Sequence, residues 1–123
     1  MPGQLLSLNI IGEQDQGIIT EFRFYPGETR IFKAQIFDTQ NNQKWIIPAT
    51  STLTLTLSGT PSDLTIANAS ITIDSVDGSI FYTTLSTTQT TSMISGSATL
   101  KIDSPSSVTR YAERDHALKK MAI

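Results

Sequence analysis

Residues 52–57, with the sequence TLTLTL, decide the fold class because leucine and threonine alternate strictly along them. Successive side chains of a β-strand point to opposite faces, so this stretch predicts a strand with one apolar face and one hydroxyl-bearing face. Branched threonine side chains also favour strands. The pattern therefore indicates a sheet with one side in a core and the other side in water.

Segments with similar alternation lie on both sides of this stretch. In residues 30–37 the side chains of Phe32, Ala34 and Ile36 share one side and those of Lys33 and Gln35 the other, and the Pro-Gly pair at 26–27 before them is a turn signal. An Asp-Gly pair at 77–78 predicts a hairpin that joins residues 69–73 to residues 80–85. The predicted strands are residues 5–11, 18–25, 30–37, 52–57, 69–73, 80–85 and 97–102.

The number and spacing of these segments predict an all-β fold. Seven or eight short strands bounded by turns, with no convincing helix before the C-terminus, indicate an antiparallel immunoglobulin-like β-sandwich. A small barrel is the main alternative. A chain of 123 residues fits a single domain, 1–123. Residues 106–123 fit either a short helix or strands, and we favour strands because an all-β sheet can use them.

The composition limits the classes of function. The chain has no cysteine, which excludes disulfides and thiolate metal sites. Its net charge of -2 and charged fraction of 16% provide no field that attracts nucleic acid or an anionic membrane, so neither partner is expected. Residues 1–11 lack the basic region of a signal peptide and the length of a membrane span. We therefore expect synthesis in the cytoplasm.

No group of residues in the sequence indicates catalysis. The only histidine, His116, lies in a charged segment, and a small hydrolase would have to depend on it alone. Asp74, Asp77 and Gly78 are spaced somewhat as in a calcium loop, but the middle ligand is missing and Leu85 stands where a bidentate glutamate is needed. We interpret that segment as a turn. The sequence predicts a protein that is not an enzyme and that binds no cofactor and no metal.

Four segments together resemble a known family of proteins. They are residues 26–38 (PGETRIFKAQIFD), 52–55 (TLTL), 77–82 (DGSIFY) and 85–102, which run from a Leu-Ser pair through a threonine-rich stretch into another strand. Their order resembles that of the immunoglobulin-like virion structural domains of tailed bacteriophages, in particular the N-terminal domain of baseplate upper proteins. The resemblance covers residues 18–114 and consists of turn and strand patterns.

The resemblance implies a structural component of a bacteriophage virion that acts through protein–protein assembly. It leaves open a place in the tail or baseplate, in the neck, or as a head decoration. The expected partners are other virion proteins and further copies of the chain in a homo-oligomer. The expected location is the virion, after synthesis in the host cytoplasm. The family has no active-site residues to carry over.

Two segments outside the best-patterned strands are predicted to form the assembly interface. Residues 1–12 provide an apolar strand that could be exchanged at a sheet edge. Residues 106–123 form a basic C-terminal segment with four cationic side chains against two acidic ones. The predicted interface residues are Leu5, Leu6, Leu8, Ile10, Arg110, Tyr111, Arg114, Lys119 and Lys120.

An alternative function is a binding module for carbohydrate or for a host surface. Its predicted ligand surface consists of Phe22, Tyr25, Trp45 and Tyr82, with neighbouring amide side chains as adaptable polar groups. Aromatic residues in strands also serve as core residues and cross-strand pairs, which is the structural interpretation of the same positions.

Overall fold

The chain folds as an all-β protein in a computed structural model that describes residues 6–13, 17–59, 62–106 and 108–122. Two short helices are present among these residues, a 3-10 helix at Asn68–Ser70 and the helix α1 at Thr87–Ser92. The strands are β1 (Leu6–Ile11), β2 (Ile18–Ile19), β3 (Phe22–Phe24), β4 (Arg30–Asp38), β5 (Gln43–Lys44), β6 (Thr52–Gly59), β7 (Ser62–Ile66), β8 (Thr72–Ile73), β9 (Ile80–Leu85), β10 (Gly96–Asp103) and β11 (Thr109–Lys120).

The strands form one sheet that curls into a half-barrel. Its order is β7-β6-β10-β11-β1-β4-β9-β8, with β2 paired to β1, β3 to β11 and β5 to β4. The pairing of β1 with β11 joins two groups of strands, β7-β6-β10-β11 and β1-β4-β9-β8. The predicted hairpin is confirmed, because β8 and β9 pair antiparallel on either side of the Asp77-Gly78 turn.

The core lies on the concave side of this sheet. Residues predicted to face inward from the alternation are buried, among them Phe32, Ala34, Leu55 and Leu100 with no exposed surface. They belong to one cluster that receives side chains from both groups of strands. The threonine–leucine pattern of β6 is therefore confirmed as a strand with its leucines in the core.

The N-terminal strand differs from the prediction. β1 is not an edge strand, because it lies between β11, to which it pairs in parallel, and β4, to which it pairs antiparallel. The sheet is consequently mixed rather than wholly antiparallel. Leu6, Leu8 and Ile10 are at most 7% exposed and belong to the core of the single chain. Leu5 lies outside the described residues.

The C-terminal segment is a single strand with a bulge, so the helical alternative is wrong. Ala98 pairs with Arg114 but Gly96 pairs with Leu118, which leaves two extra residues in β11. His116 lies within them at a positive φ of 56°, the backbone region that β-bulges use to bend a strand. Beyond the bulge β11 leaves β1 and pairs with β3. Neighbouring Ala117 and Leu118 are both buried, which strict alternation would forbid.

Helix α1 was not predicted, although its start carries a recognisable signal. Ser86 accepts a hydrogen bond from the backbone N–H of Gln89, and the Gln89 side chain accepts one from the Ser86 N–H. This capping box satisfies two backbone donors of the first turn. The sequence predicts no helix before the C-terminus, and this stretch lies between two predicted strands.

Thr90 attaches α1 to the turn that precedes β4. It is fully buried, its hydroxyl donates to the carbonyl oxygen of Glu28 at 2.7 Å, and it accepts from the backbone N–H of Gly27 at 3.1 Å. The turn and the helix therefore depend on one buried hydroxyl group for their contact.

We expect Thr90→Val to lower the free energy of unfolding by about 1–3 kcal/mol, because the isosteric side chain leaves the Gly27 N–H and the Glu28 carbonyl without their partner. Thr91→Val is the matched control, since Thr91 is exposed on the same helix and its hydroxyl bonds only to Thr87 within the helix. Urea unfolding of both variants measures the difference. Equal effects of the two substitutions would contradict this role of Thr90.

Candidate functional site

The outer side of β1, β4 and β9 carries an unusual concentration of apolar side chains. Cross-strand partners share one face of a sheet, and the register places Ile18, Ile11, Lys33 and Tyr82 in one row across four strands. Ile31 precedes Lys33 on the same side. Ile18 is 62% exposed and Ile31 is 42% exposed. We call these five residues the isoleucine face.

The isoleucine face is concave. Ile11, Ile31, Lys33 and Tyr82 line a depression of about 600 Å³ together with Gly12, Glu13 and Asp74. Among the described residues, the Lys33 ammonium group makes no ion pair, whereas Glu13 is paired with Arg30. The depression therefore combines isoleucine and tyrosine side chains with Lys33 and two carboxylates, and these charges would favour one register of any partner that covers it.

The outer side of β6, β7, β10 and β11 is chemically different. Its register brings together threonines from neighbouring strands, such as Thr56 between Thr65 and Thr99. Interspersed charges such as Lys101 and Glu113 lie on the same side. We call this surface the hydroxyl face, and its outward threonines are Thr52, Thr54, Thr56, Thr65, Thr99 and Thr109. Hydroxyl groups are compatible with lasting exposure to water, whereas large aliphatic groups in a cluster are typical of contact surfaces.

A second concave surface lies where two loops meet at one end of the strands. We call it the tryptophan groove, and its volume is about 680 Å³. One wall is the segment after β5, and the other consists of residues that lie between β10 and β11. Arg110 at the start of β11 also lines the groove. Its residues are Trp45, Ile46, Pro48, Ile102, Ser104, Pro105, Ser106, Val108 and Arg110.

Backbone hydrogen bonds hold both walls of this groove. The N–H of Trp45 donates to the carbonyl of Ile36 at 2.9 Å, and the N–H of Ile47 donates to the carbonyl of Gly78 at 3.0 Å. On the other wall the N–H of Ser104 donates to the carbonyl of Val108 at 3.0 Å. Backbone hydrogen bonds therefore anchor described residues on both sides of the groove.

A partly buried polar network lies beside the first wall. The Asp77 carboxylate accepts from the backbone N–H of Ser79 at 3.0 Å, from its hydroxyl at 2.6 Å and from Lys44 at 3.2 Å. Gln35 donates to the Ser79 hydroxyl from β4. The hydroxyl and the backbone N–H of Ser79, with a smaller effect of Lys44, hold the pKa of Asp77 below its ordinary value of 3.8.

The predicted aromatic surface is not brought together. Phe22 is only 2% exposed and packs edge-on against Phe32 at 5.3 Å, so its place on a ligand surface is wrong. Trp45 lines the tryptophan groove and Tyr82 lines the isoleucine face. Tyr25 is 48% exposed and lines neither depression.

The predicted basic surface is also divided. Arg114 donates through its guanidinium group to the carbonyl of Thr20 at 3.2 Å, and Lys120 donates to the carbonyl of Thr91 at 2.9 Å, so both contribute to internal structure. Lys119 is exposed, but about 30 Å of extended strand separates it from Arg110. Tyr111 is 57% exposed on the hydroxyl face.

The sequence contained a signal for the isoleucine face that was not used. Ile31 falls on the same side of its predicted strand as Lys33 and Gln35, and Ile11 falls on the same side as Ser7 and Asn9. An aliphatic residue on the polar side of an alternating strand is the pattern that marks such a surface.

Comparison with protein-family models and with curated proteins found no match to this chain. The described part of the chain contains no cluster of three or more acidic or histidine side chains that could hold a metal ion. No helix among residues 6–13, 17–59, 62–106 and 108–122 has the length and apolar character needed to cross a membrane.

Acidification should reveal the contribution of Asp77. Because its folded-state pKa is lowered, the ionised carboxylate stabilises the fold above its ordinary value of 3.8, and this stabilisation is lost as the pH falls through the folded-state pKa. We expect the free energy of unfolding of Asp77→Asn to change less than that of the wild type between about pH 7 and about pH 2. Urea titrations at each pH measure this difference.

Asp63→Asn is the control, because the exposed Asp63 carboxylate accepts no hydrogen bond from a described residue. It should keep the wild-type dependence on pH. A variant Asp77→Asn that followed the wild-type curve would show that the network does not depend on the charge of Asp77.

Proposed function

We propose that the chain is a structural component of a bacteriophage virion and that it works by protein–protein assembly through the isoleucine face. The observation that carries the proposal is the exposure of Ile18 and Ile31 on the isoleucine face, which are 62% and 42% exposed, whereas many outward positions of β6, β7 and β10 are threonine. Exposed apolar clusters of this kind are typical of interaction sites.

The sequence resemblance supports the virion part of the proposal. Its four segments correspond to the turn and strand of β4, the start of β6, the β8–β9 turn with β9, and the stretch from the end of β9 through α1 to β10. We further propose that the fold is an immunoglobulin-like sandwich, with β7-β6-β10-β11 and β1-β4-β9-β8 as its two layers. One common core cluster favours that arrangement.

The proposed mechanism is burial of apolar area with a charge that fixes the register. Isoleucine and tyrosine side chains supply most of the favourable free energy when they leave water, at about 25 cal/mol per Å². Lys33 in their midst disfavours any partner without a nearby anion or acceptor, because an unpaired buried cation is costly. Other virion proteins or further copies of the chain are the proposed partners, in a tail or baseplate, neck or head-decoration position.

The alternative of a carbohydrate- or host-surface-binding module is less well supported. It would require the four predicted aromatic side chains on one surface. Phe22 is in the core, and Trp45 and Tyr82 line separate depressions. A ligand in either depression would therefore contact only one of the four predicted aromatic side chains.

Ile31→Glu should abolish assembly while leaving the fold intact, because the new charge would be buried at the centre of the contact. Thr56→Glu on the hydroxyl face is the matched control, since it introduces the same charge at an outward strand position of the same sheet. Light scattering of the purified chains and quantification of each chain in purified particles of the phage that encodes it measure the effect. We expect at least a tenfold loss for Ile31→Glu and little change for Thr56→Glu.

Two results would contradict the proposal. One is a wild-type chain that stays monomeric, is absent from particles and cross-links to none of the proteins encoded beside it. The other is incorporation of Ile31→Glu at the wild-type level, which would move the interface away from the isoleucine face.

A further inference from the structure

We propose that the tryptophan groove binds a peptide segment of a partner protein in which an acidic side chain is flanked by apolar ones. The groove shares no lining residue with the isoleucine face. The inference therefore does not depend on the function proposed above.

The position of Arg110 is the first argument. Arg110 pairs directly with Ile102 across β10 and β11, and paired residues share one face of a sheet. Ile102 is 1% exposed and belongs to the core, so Arg110 extends from the core-facing side of its strand. The alternation of β11 would place an apolar residue at this core-facing position, and the chain has an arginine there instead. Arg110 and Ile102 both line the groove, so the arginine lies where the core meets the groove.

The second argument is that Arg110 lacks a partner. Of the four arginines in the chain, Arg23 and Arg30 form ion pairs with glutamates, and Arg114 donates to a backbone carbonyl. Among the described residues, the guanidinium group of Arg110 makes no hydrogen bond and no ion pair. A guanidinium group beside apolar walls binds an anion more strongly than one in open solvent, because less water competes for it.

The third argument is that the groove itself supplies no anion. None of its nine lining residues is acidic. The nearest carboxylate in sequence, Asp103, pairs with Thr109 on the opposite side of the strands and accepts its hydroxyl at 2.7 Å. The hydroxyls of Ser104 and Ser106 lie 3.0 Å apart and are engaged with each other. The complementary charge must therefore come from the ligand.

The shape and rigidity of the groove favour a peptide. Its volume of about 680 Å³ lies within the range of small-ligand sites, roughly 300–1,000 Å³. Trp45, Ile46 and Val108 provide apolar contact in its lining. The exposed fractions of Ile46 and Val108 are 54% and 44%. Trp45, Ile47 and Ser104 are already held by backbone hydrogen bonds, which lowers the cost of ordering these residues on binding.

The chain contains a built-in probe of this site, since Trp45 is its only tryptophan. We would titrate the purified wild-type chain with the peptide acetyl-Gly-Leu-Glu-Leu-Gly-amide and follow tryptophan fluorescence. The neutral comparison is the same peptide with glutamine in place of glutamate. We expect the glutamate peptide to bind about tenfold more tightly, as for a charge-assisted hydrogen bond to arginine. This comparison needs no variant of the protein.

Arg110→Gln should reduce the preference for the glutamate peptide to about one, whereas Arg23→Gln, at an exposed arginine outside the groove, should retain it. Ile31→Glu should also retain it, which separates this proposal from assembly through the isoleucine face. The proposal is wrong if the two peptides bind the wild type equally, or if neither changes the fluorescence at about 10 mM.

Two further measurements test the other occupants of the groove. Octanoate that binds as tightly as the glutamate peptide would assign the groove to small anionic lipids and would overturn the peptide proposal. Self-association that shields Trp45 from acrylamide quenching and is lost in Arg110→Gln would assign it to a second copy of the chain, with the same consequence. Octanoate that binds more weakly, together with unchanged quenching across concentrations, supports a peptide from a partner protein.

Discussion

The rest of the structure depends on the way in which β11 is paired along its two sides. β10 pairs antiparallel with one side of β11. On its other side, β11 pairs in parallel first with β1 and then with β3. A strand that changes partner in this way needs a bend, and the bulge with His116 at positive φ provides it. Without the bend, Leu118 could not point into the core and β3 would have no neighbour in the sheet.

This arrangement also explains why the two outer faces differ. Alternation directs one side of each strand to the common core, and those positions are apolar in both groups of strands. The outward positions are not constrained by the core, so their chemistry reflects what they contact. Threonine hydroxyls on β6, β7 and β10 can hydrogen-bond to water, whereas the side chains of Ile11, Ile18 and Ile31 cannot. The difference is informative because both surfaces belong to one sheet and were formed under the same packing rules.

Most strands could be predicted from the sequence, because a period of two is a local property that a few residues reveal. The pattern at residues 30–37 and 52–57 identified β4, β6 and their buried sides correctly. The position of β1 could not be predicted, because its parallel partner is more than 100 residues away and no local pattern encodes such a pairing. The isoleucine face depends on that same placement, since Ile11 and Lys33 become neighbours only when β1 pairs with β4.

The predicted interface residues are divided in the fold for a related physical reason. Leucines at the N-terminus and cations at the C-terminus were assigned to an interface because both segments lay outside the strongest pattern. The core needed the leucines, and Arg114 was needed to cap the Thr20 carbonyl, so both were already engaged in the fold. A charged group with its partners satisfied contributes little to binding a further molecule. Arg110 differs because the fold places it beside the core and no described residue pairs with its guanidinium group. The isoleucine face and the tryptophan groove share no lining residue. The free-energy changes caused by substitutions at the two surfaces should therefore add.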